Sequence, residues 1–203
     1  MPPFLLSWAY PAASRMGWIT TKAANPSPSD ARGAAYLFRG NGTIFTPGFG
    51  RLTDQLRSQG LWAEDLTCNG LAWARHQIIK APNDRPIILI GHSCGGRSCL
   101  KLAALLEAVG VTIDLLICID VAFTSPVPAN VRRAVHLYRS CWRLYPARPL
   151  VPCPGNVSPI DNIDLDQPSA PFPGAGLNHF NITSSELLQR WIVGEVSNSL
   201  TLK

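Results

Sequence analysis

Residues 87–96 read Ile-Ile-Leu-Ile-Gly-His-Ser-Cys-Gly-Gly, an apolar run that leads into Gly91-His92-Ser93-Cys94-Gly95. A serine between two glycines at this spacing, with a strand before it and a helix after it, suits nucleophilic attack on a carbonyl carbon. The turn must be tight and strained, so that the hydroxyl stands clear of the sheet, and glycine at 91 and 95 removes side chains that would collide across it. The helix that follows begins with unpaired N–H groups, which can hold the oxyanion that forms when the carbonyl is attacked.

A serine hydroxyl is too weak an acid to attack alone; it needs a base, and the base needs an orienting acid. Four histidines are available. His76 falls in a helical stretch upstream, and His136 sits inside an apolar run. His92 is the variable residue of the elbow, expected to point away from the serine. His179, in Gly176-Leu-Asn-His-Phe180, lies in a loop between the last strand and the last helix, where a base belongs. For the acid, Asp120 ends Leu115-Leu-Ile-Cys-Ile-Asp120 and so shares a sheet edge with Ser93. Asp161, Asp164 and Asp166 are the rivals, on or beside the last strand, while Asp114 is at the wrong end of its own. The expected set is therefore Ser93, Asp120 and His179. The oxyanion hole is assigned to the backbone N–H groups of Cys94 and of Asn41, the latter in Arg39-Gly40-Asn41-Gly42. Phe45, Phe49, Trp62 and Phe123 are candidates for an apolar acyl pocket and equally for core.

The elements that must hold these residues alternate between strand and helix. A leader spans residues 1–33 and ends in a run of turn formers, Asn25 to Gly33. A strand is expected over Ala34–Phe38, a helix from Leu52 to Gln59, and a strand over Leu61–Leu66. Gly70–Lys80 reads as a helix and Ile87–Ile90 as a strand buried on both faces. After the elbow, Cys99, Leu102, Ala103, Leu106 and Val109 form one face of a helix that stops at Gly110. Val111–Ile119 is the next strand. Val131–Arg139 reads as a strand, with a helix as its alternative. Between Cys141 and Asn178 eight prolines leave room only for a last strand at Ile160–Leu165. Thr183-Ser-Ser-Glu186 has the form of a capping box for a final helix whose apolar side holds Leu187, Leu188, Trp191 and Ile192. Such alternation implies a mostly parallel sheet covered by helices on both faces.

A chain of 203 residues with 46% hydrophobic and 15% charged residues has enough apolar matter for one buried core and argues against general disorder. The net charge of +5 is mild. Arg132, Arg133, Arg139, Arg143 and Arg148 form its densest run, read as a solvated face, because no stacking aromatics or nucleic-acid motif accompany it. Hence no nucleic-acid partner is expected. The six cysteines show no zinc spacing; Cys141 and Cys153 flank a proline-rich loop, and their pairing is left open. Phe4–Tyr10 is apolar but lacks a basic flank and is bracketed by prolines, so no signal peptide is assigned and a cytoplasmic location is favoured. No apolar run reaches the length of a membrane span.

With these residues in view, the chain resembles the α/β-hydrolases, in particular their lipase-like and esterase-like members. The elbow is similar to their Gly-His-Ser-Leu-Gly-Gly, with Cys94 in place of leucine. Ile119-Asp120 resembles the Leu-Asp of lipases whose acid follows the strand after the elbow helix; other members carry it one strand later. Their usual His-Gly after the first strand of the domain appears as Arg39-Gly40. The resemblance spans roughly residues 34–196, and implies one α/β-hydrolase domain over 34–203 without a separate lid. It further implies an esterase working through an acyl-enzyme, needing no metal or organic cofactor, and acting on a small-molecule or lipid ester. A thioesterase, and a non-catalytic binding protein of the same fold, are the alternatives. Cys94 as nucleophile is disfavoured, being one residue past the apex of the turn.

Overall fold

The structure is a computed structural model in which residues 23–27, 29–41, 48–81, 84–141, 147–174 and 176–201 are described. The expectations placed on Phe4–Tyr10, Gly42, Phe45 and Arg143 lie outside them. The strands are β1 (Ala34–Phe38), β2 (Trp62–Leu66), β3 (Ile87–His92), β4 (Leu115–Ile119), β5 (Ala134–Tyr138) and β6 (Ile160–Asp164). The helices are α1 (Gly48–Ser58), α2 (Leu71–Lys80), α3 (Cys94–Glu107) and α4 (Glu186–Thr201).

All six strands are parallel, in the order β2-β1-β3-β4-β5-β6. The chain winds outward from β1 to β2, then returns to lay β3 on the other side of β1 and continues the opposite way. The carboxyl ends of β1 and β3 thus flank the switch point, where open α/β sheets form a crevice. Register aligns the strand ends there. Phe38 pairs with Gly91, His92 with Ile119, and Ile119 with Leu137. The residues that follow β1, β3 and β4, which are Arg39, Ser93 and Asp120, therefore leave the sheet along one edge.

Side chains alternate between two cores, as the period of a strand requires. Ala35, Leu37, Ile88, Ile90, Ile117 and Ile119 face α1 and α4. Tyr36, Phe38, Leu89, Leu116 and Cys118 face α2 and α3. Every residue of β4 is buried, so a continuous apolar run was its signature in sequence.

Four local expectations are corrected. The first helix starts at Gly48, before Leu52, because Phe49, Leu52 and Leu56 recur at i, i+3 and i+7 and all are buried. β4 starts at Leu115 because Asp114 spends its carboxylate at the strand mouth, accepting from the Ile87 N–H and from Arg132. The elbow helix ends at Glu107, so Val109 falls in the turn closed by Gly110 and is 48% exposed. The final cap is Ser185, whose Oγ accepts the Leu188 N–H at 3.3 Å, while Thr183 lies inside a separate 3₁₀ turn, Ile182–Ser184. Leu187 is consequently exposed and Leu188 buried.

Candidate active site

Ser93 connects β3 to α3 with φ 55° and ψ −124°, a conformation that L-residues rarely adopt. Its N–H donates to the Ile119 carbonyl at 3.0 Å, and its own carbonyl accepts from the Gly96 N–H at 3.1 Å. The two elbow glycines serve different neighbours. A Cβ on Gly91 would lie 2.5 Å from Gly96 across the turn, whereas one on Gly95 would lie 1.9 Å from the Phe38 carbonyl oxygen. The second glycine thus lets α3 start directly beside the end of β1. A Cβ on Gly40 would sit 3.4 Å from the Ser93 Cβ, so the loop leaving β1 passes the serine at van der Waals range.

His179 lies between Ser93 and Asp120. Its Nε2 is 3.0 Å from Ser93 Oγ and its Nδ1 is 2.6 Å from Asp120 Oδ2. Asp120 is almost wholly buried and also has positive φ, 47°. Together with Phe123, at φ 56°, these are the non-glycine residues with positive φ among those described, and all three stand at the same sheet edge. Strain of this kind, on the order of 1–3 kcal/mol per residue, persists only where its surroundings over-determine it.

The rest of the shell holds these three in place. The Asp120 N–H donates to the Leu137 carbonyl at 2.8 Å, and the next N–H, of Val121, donates to His136 Nε2 at 3.1 Å. His136 must then carry its proton on Nδ1. Burial pushes its pKa down to about 4, so the ring stays neutral under the turn that aims Asp120. On the His179 side, Asn178 Oδ1 accepts from the N–H groups of Phe180 and Asn181, and Asn181 Oδ1 accepts from the Asn178 N–H. This reciprocal pair wraps the backbone around the histidine. Arg139, just past β5, ties the same loop to the sheet by donating to the Leu177 carbonyl and pairing with Asp166.

His92 is a correction. Instead of pointing away, its ring packs against that of His179 with centroids 4.6 Å apart. Burial, aided by the nearby His179, pushes its pKa down to about 3, a weak main-chain contact from His179 acting the other way. It is a neutral wall of the site, found in sequence only as the elbow's variable position. The three rival carboxylates are engaged elsewhere: Asp161 with Arg133, Asp166 with Arg139, and Asp164 with the N–H groups of Ser140 and Asp166.

Arg39, at the position where a histidine is usual in the resembled pattern, turns away from Ser93. It makes a buried two-point pair with Asp65, with Nε 2.7 Å from Oδ1. The pair joins the ends of β1 and β2 and so fixes the loop carrying Gly40 and Asn41. Burial raises the Asp65 pKa, with Arg39 opposing it. Asn41 is exposed on that loop, and Cys94 opens α3, where the first N–H groups have no helical acceptor. The Cys94 thiol is half-buried next to Cys68, and burial together with that thiol pushes its pKa up to about 12.

Of the aromatic candidates, Phe49 belongs to the core and Trp62 stacks on Trp73 near the opposite end of the strands. Phe123 is 76% exposed and lines a cleft of about 590 Å³ that also reaches Cys94. Phe180, half-exposed, meets the His179 ring edge-on. The dense arginine run is largely paired, with Arg132 on Asp114, Arg133 on Asp161 and Glu195, and Arg139 on Asp166. Cys141 and Cys153 are free thiols. Among the described residues no cluster of side chains could hold a metal ion, and no helix is long and apolar enough to cross a membrane.

No protein-family model matches the chain, and no curated protein matches it in sequence. Solved structures do resemble it. A covalent complex of the NocB thioesterase domain with a fluorophosphonate nocardicin G analog matches with a TM-score of 0.54 and 11% identity, over 86% of this chain and 97% of that one. The surfactin-cyclising thioesterase domain SrfTE matches with a TM-score of 0.52 and 12% identity, over 87% and 94%. A Xanthomonas campestris structure described as alpha/beta superfamily has a TM-score of 0.48 and 12% identity, over 82% and 99%. At such identities a likeness bears on fold alone.

Proposed function

We propose that this chain, which has the α/β-hydrolase fold, is a serine acyl-hydrolase that cleaves carboxylic esters through Ser93, His179 and Asp120. The observation that carries this reading is the continuous contact from Asp120 Oδ2 through both His179 nitrogens to Ser93 Oγ, at 2.6 and 3.0 Å. A binding module of the same fold would need none of these three in register.

In the proposed reaction Ser93 Oγ bonds to the ester carbonyl carbon while its proton passes to His179 Nε2. Asp120 keeps the other ring nitrogen protonated and steadies the imidazolium that forms. The carbonyl electrons move onto oxygen, held by the Cys94 and Asn41 N–H groups. The C–O bond to the leaving alcohol then breaks, His179 returns the proton to that alcohol, and an acyl-Ser93 remains. Water, deprotonated by His179, repeats the sequence and releases the acid. The chemistry asks for no metal or organic cofactor.

A thioester substrate is the second reading, because structures sharing the fold are thioesterase domains. A panel of oxygen esters and thioesters with matched acyl chains separates the two. For the nucleophile itself, Ser93→Ala should lower ester turnover by about 10⁴- to 10⁶-fold without unfolding the protein. Activity within tenfold of the wild type would exclude Ser93.

A further inference from the structure

We infer that the cleft beside Cys94 receives an anionic group, so that the acyl substrate of this site carries a carboxylate or phosphate a short distance from its reacting carbonyl. The inference rests on the reading of Ser93 as nucleophile. The cleft, about 590 Å³, runs along α3 from Cys94, with Arg97, Lys101 and Phe123 in its walls.

Cys94, Arg97 and Lys101 stand at i, i+3 and i+7, which puts them on one face of the helix that starts at the elbow. With a rise of about 1.5 Å per residue, the two cations lie roughly 5 and 10 Å along the axis from Cys94. A chain bound at the serine and laid along α3 would bring a terminal anion under them.

The charge of this cleft is not neutralised from within. Among the described residues no carboxylate lines it, and neither Arg97 nor Lys101 has an ion-pair partner.

The opposite wall supplies the apolar half of the match. Phe123 is 76% exposed and held at φ 56°, a conformation unfavourable for a bulky aromatic. Pro126 continues that lining. An amphipathic acyl compound, apolar along its chain and anionic at one end, satisfies both walls.

The test uses two fluorophosphonates of equal length, one ending in a carboxylate and one in its neutral methyl amide, and compares their rates of labelling Ser93. The anionic probe should label about three- to tenfold faster, the range two exposed cations can supply. That ratio should fall toward one in about 0.5 M NaCl, where the Debye length shrinks to a few ångströms. It should also fall in Arg97→Gln/Lys101→Gln and survive in Arg97→Lys. Labelling by the neutral probe shows that each variant is folded. A wild-type ratio of one, or a ratio unchanged by the double substitution, would overturn the anion site while leaving Ser93 as nucleophile. Labelling by neither probe would overturn the nucleophile assignment and this inference with it.

Discussion

Asp120 and His179 are separated by 59 positions in sequence, yet Oδ2 of one lies 2.6 Å from Nδ1 of the other. Each arrives by a different route. Asp120 is placed by the buried strand β4 and by the Val121–His136 hydrogen bond behind it. His179 is placed by a loop whose anchors are Arg139, Asn178 and Asn181. The contact is thus a joint product of sheet register and loop chemistry.

Replacing Asp120 by Asn should keep the shape and lose the charge that orients the histidine. We expect kcat to fall by about 10³- to 10⁴-fold with little change in KM. Asn at Asp161, Asp164 or Asp166 should cost far less. Equal losses at Asp120 and Asp166 would show that the carboxylate acts only through loop structure.

Cys94→Ala should leave ester turnover within a few-fold of the wild type. Its thiol is held protonated near a pKa of about 12, and the role assigned to the residue is that of its backbone N–H. Loss of turnover with undiminished phosphonate labelling of Ser93 would reveal a chemical role for the sulfur.

Much of this was legible in the sequence, for physical reasons that differ by element. β3 and β4 are buried on both faces, so each spelled itself as an unbroken apolar run. The elbow was legible because backbone approach at Gly91 and Gly95 forbids any side chain. Phe49 was left open between pocket and core because an aromatic three residues before Leu52 signals core only once the helix is known to begin at Gly48. His92 was misjudged because the packing of two rings from distant segments leaves no local pattern. The roles of Arg139, at a strand end, and of the Asn178–Asn181 pair, at the end of a proline-rich stretch without periodicity, left no local pattern. Arg97 and Lys101 carried a signal that was passed over, their i and i+4 spacing just past the serine.

Acid should destabilise the fold through His92 and His136. Their folded-state pKa values are about 3 and about 4, below the roughly 6.5 of an unfolded histidine. The unfolded chain then binds more protons, so their contribution is complete above about pH 6.5 and is lost as pH falls toward 4 and 3. Each adds a slope of up to about 1.4 kcal/mol per pH unit in that window. The urea midpoint should drop between about pH 7 and 5, and the drop should be shallower in His136→Gln. A midpoint independent of pH there would contradict neutral burial of the two rings.

Asp65→Ala should remove the carboxylate that pairs with the buried Arg39 guanidinium beneath the loop that bears Asn41. Removing one partner of a buried pair typically costs about 3–5 kcal/mol, whereas Arg39→Met/Asp65→Leu should cost less than the single change. Thermal melts of the single and double variants measure the difference. A single substitution that shifts the melting temperature no more than a surface change would show that the pair does not hold the β1 and β2 ends.

In the proposed reaction every acyl group passes through Ser93 Oγ. Rapid acid quenching during turnover of an activated aryl ester, followed by peptide mapping, reads this directly. The expected result is an acyl mass on the Ser93 peptide that builds in the burst and disappears when substrate is exhausted. An adduct on Cys94 instead, or steady turnover with no adduct on Ser93 and undiminished activity in Ser93→Ala, would contradict it.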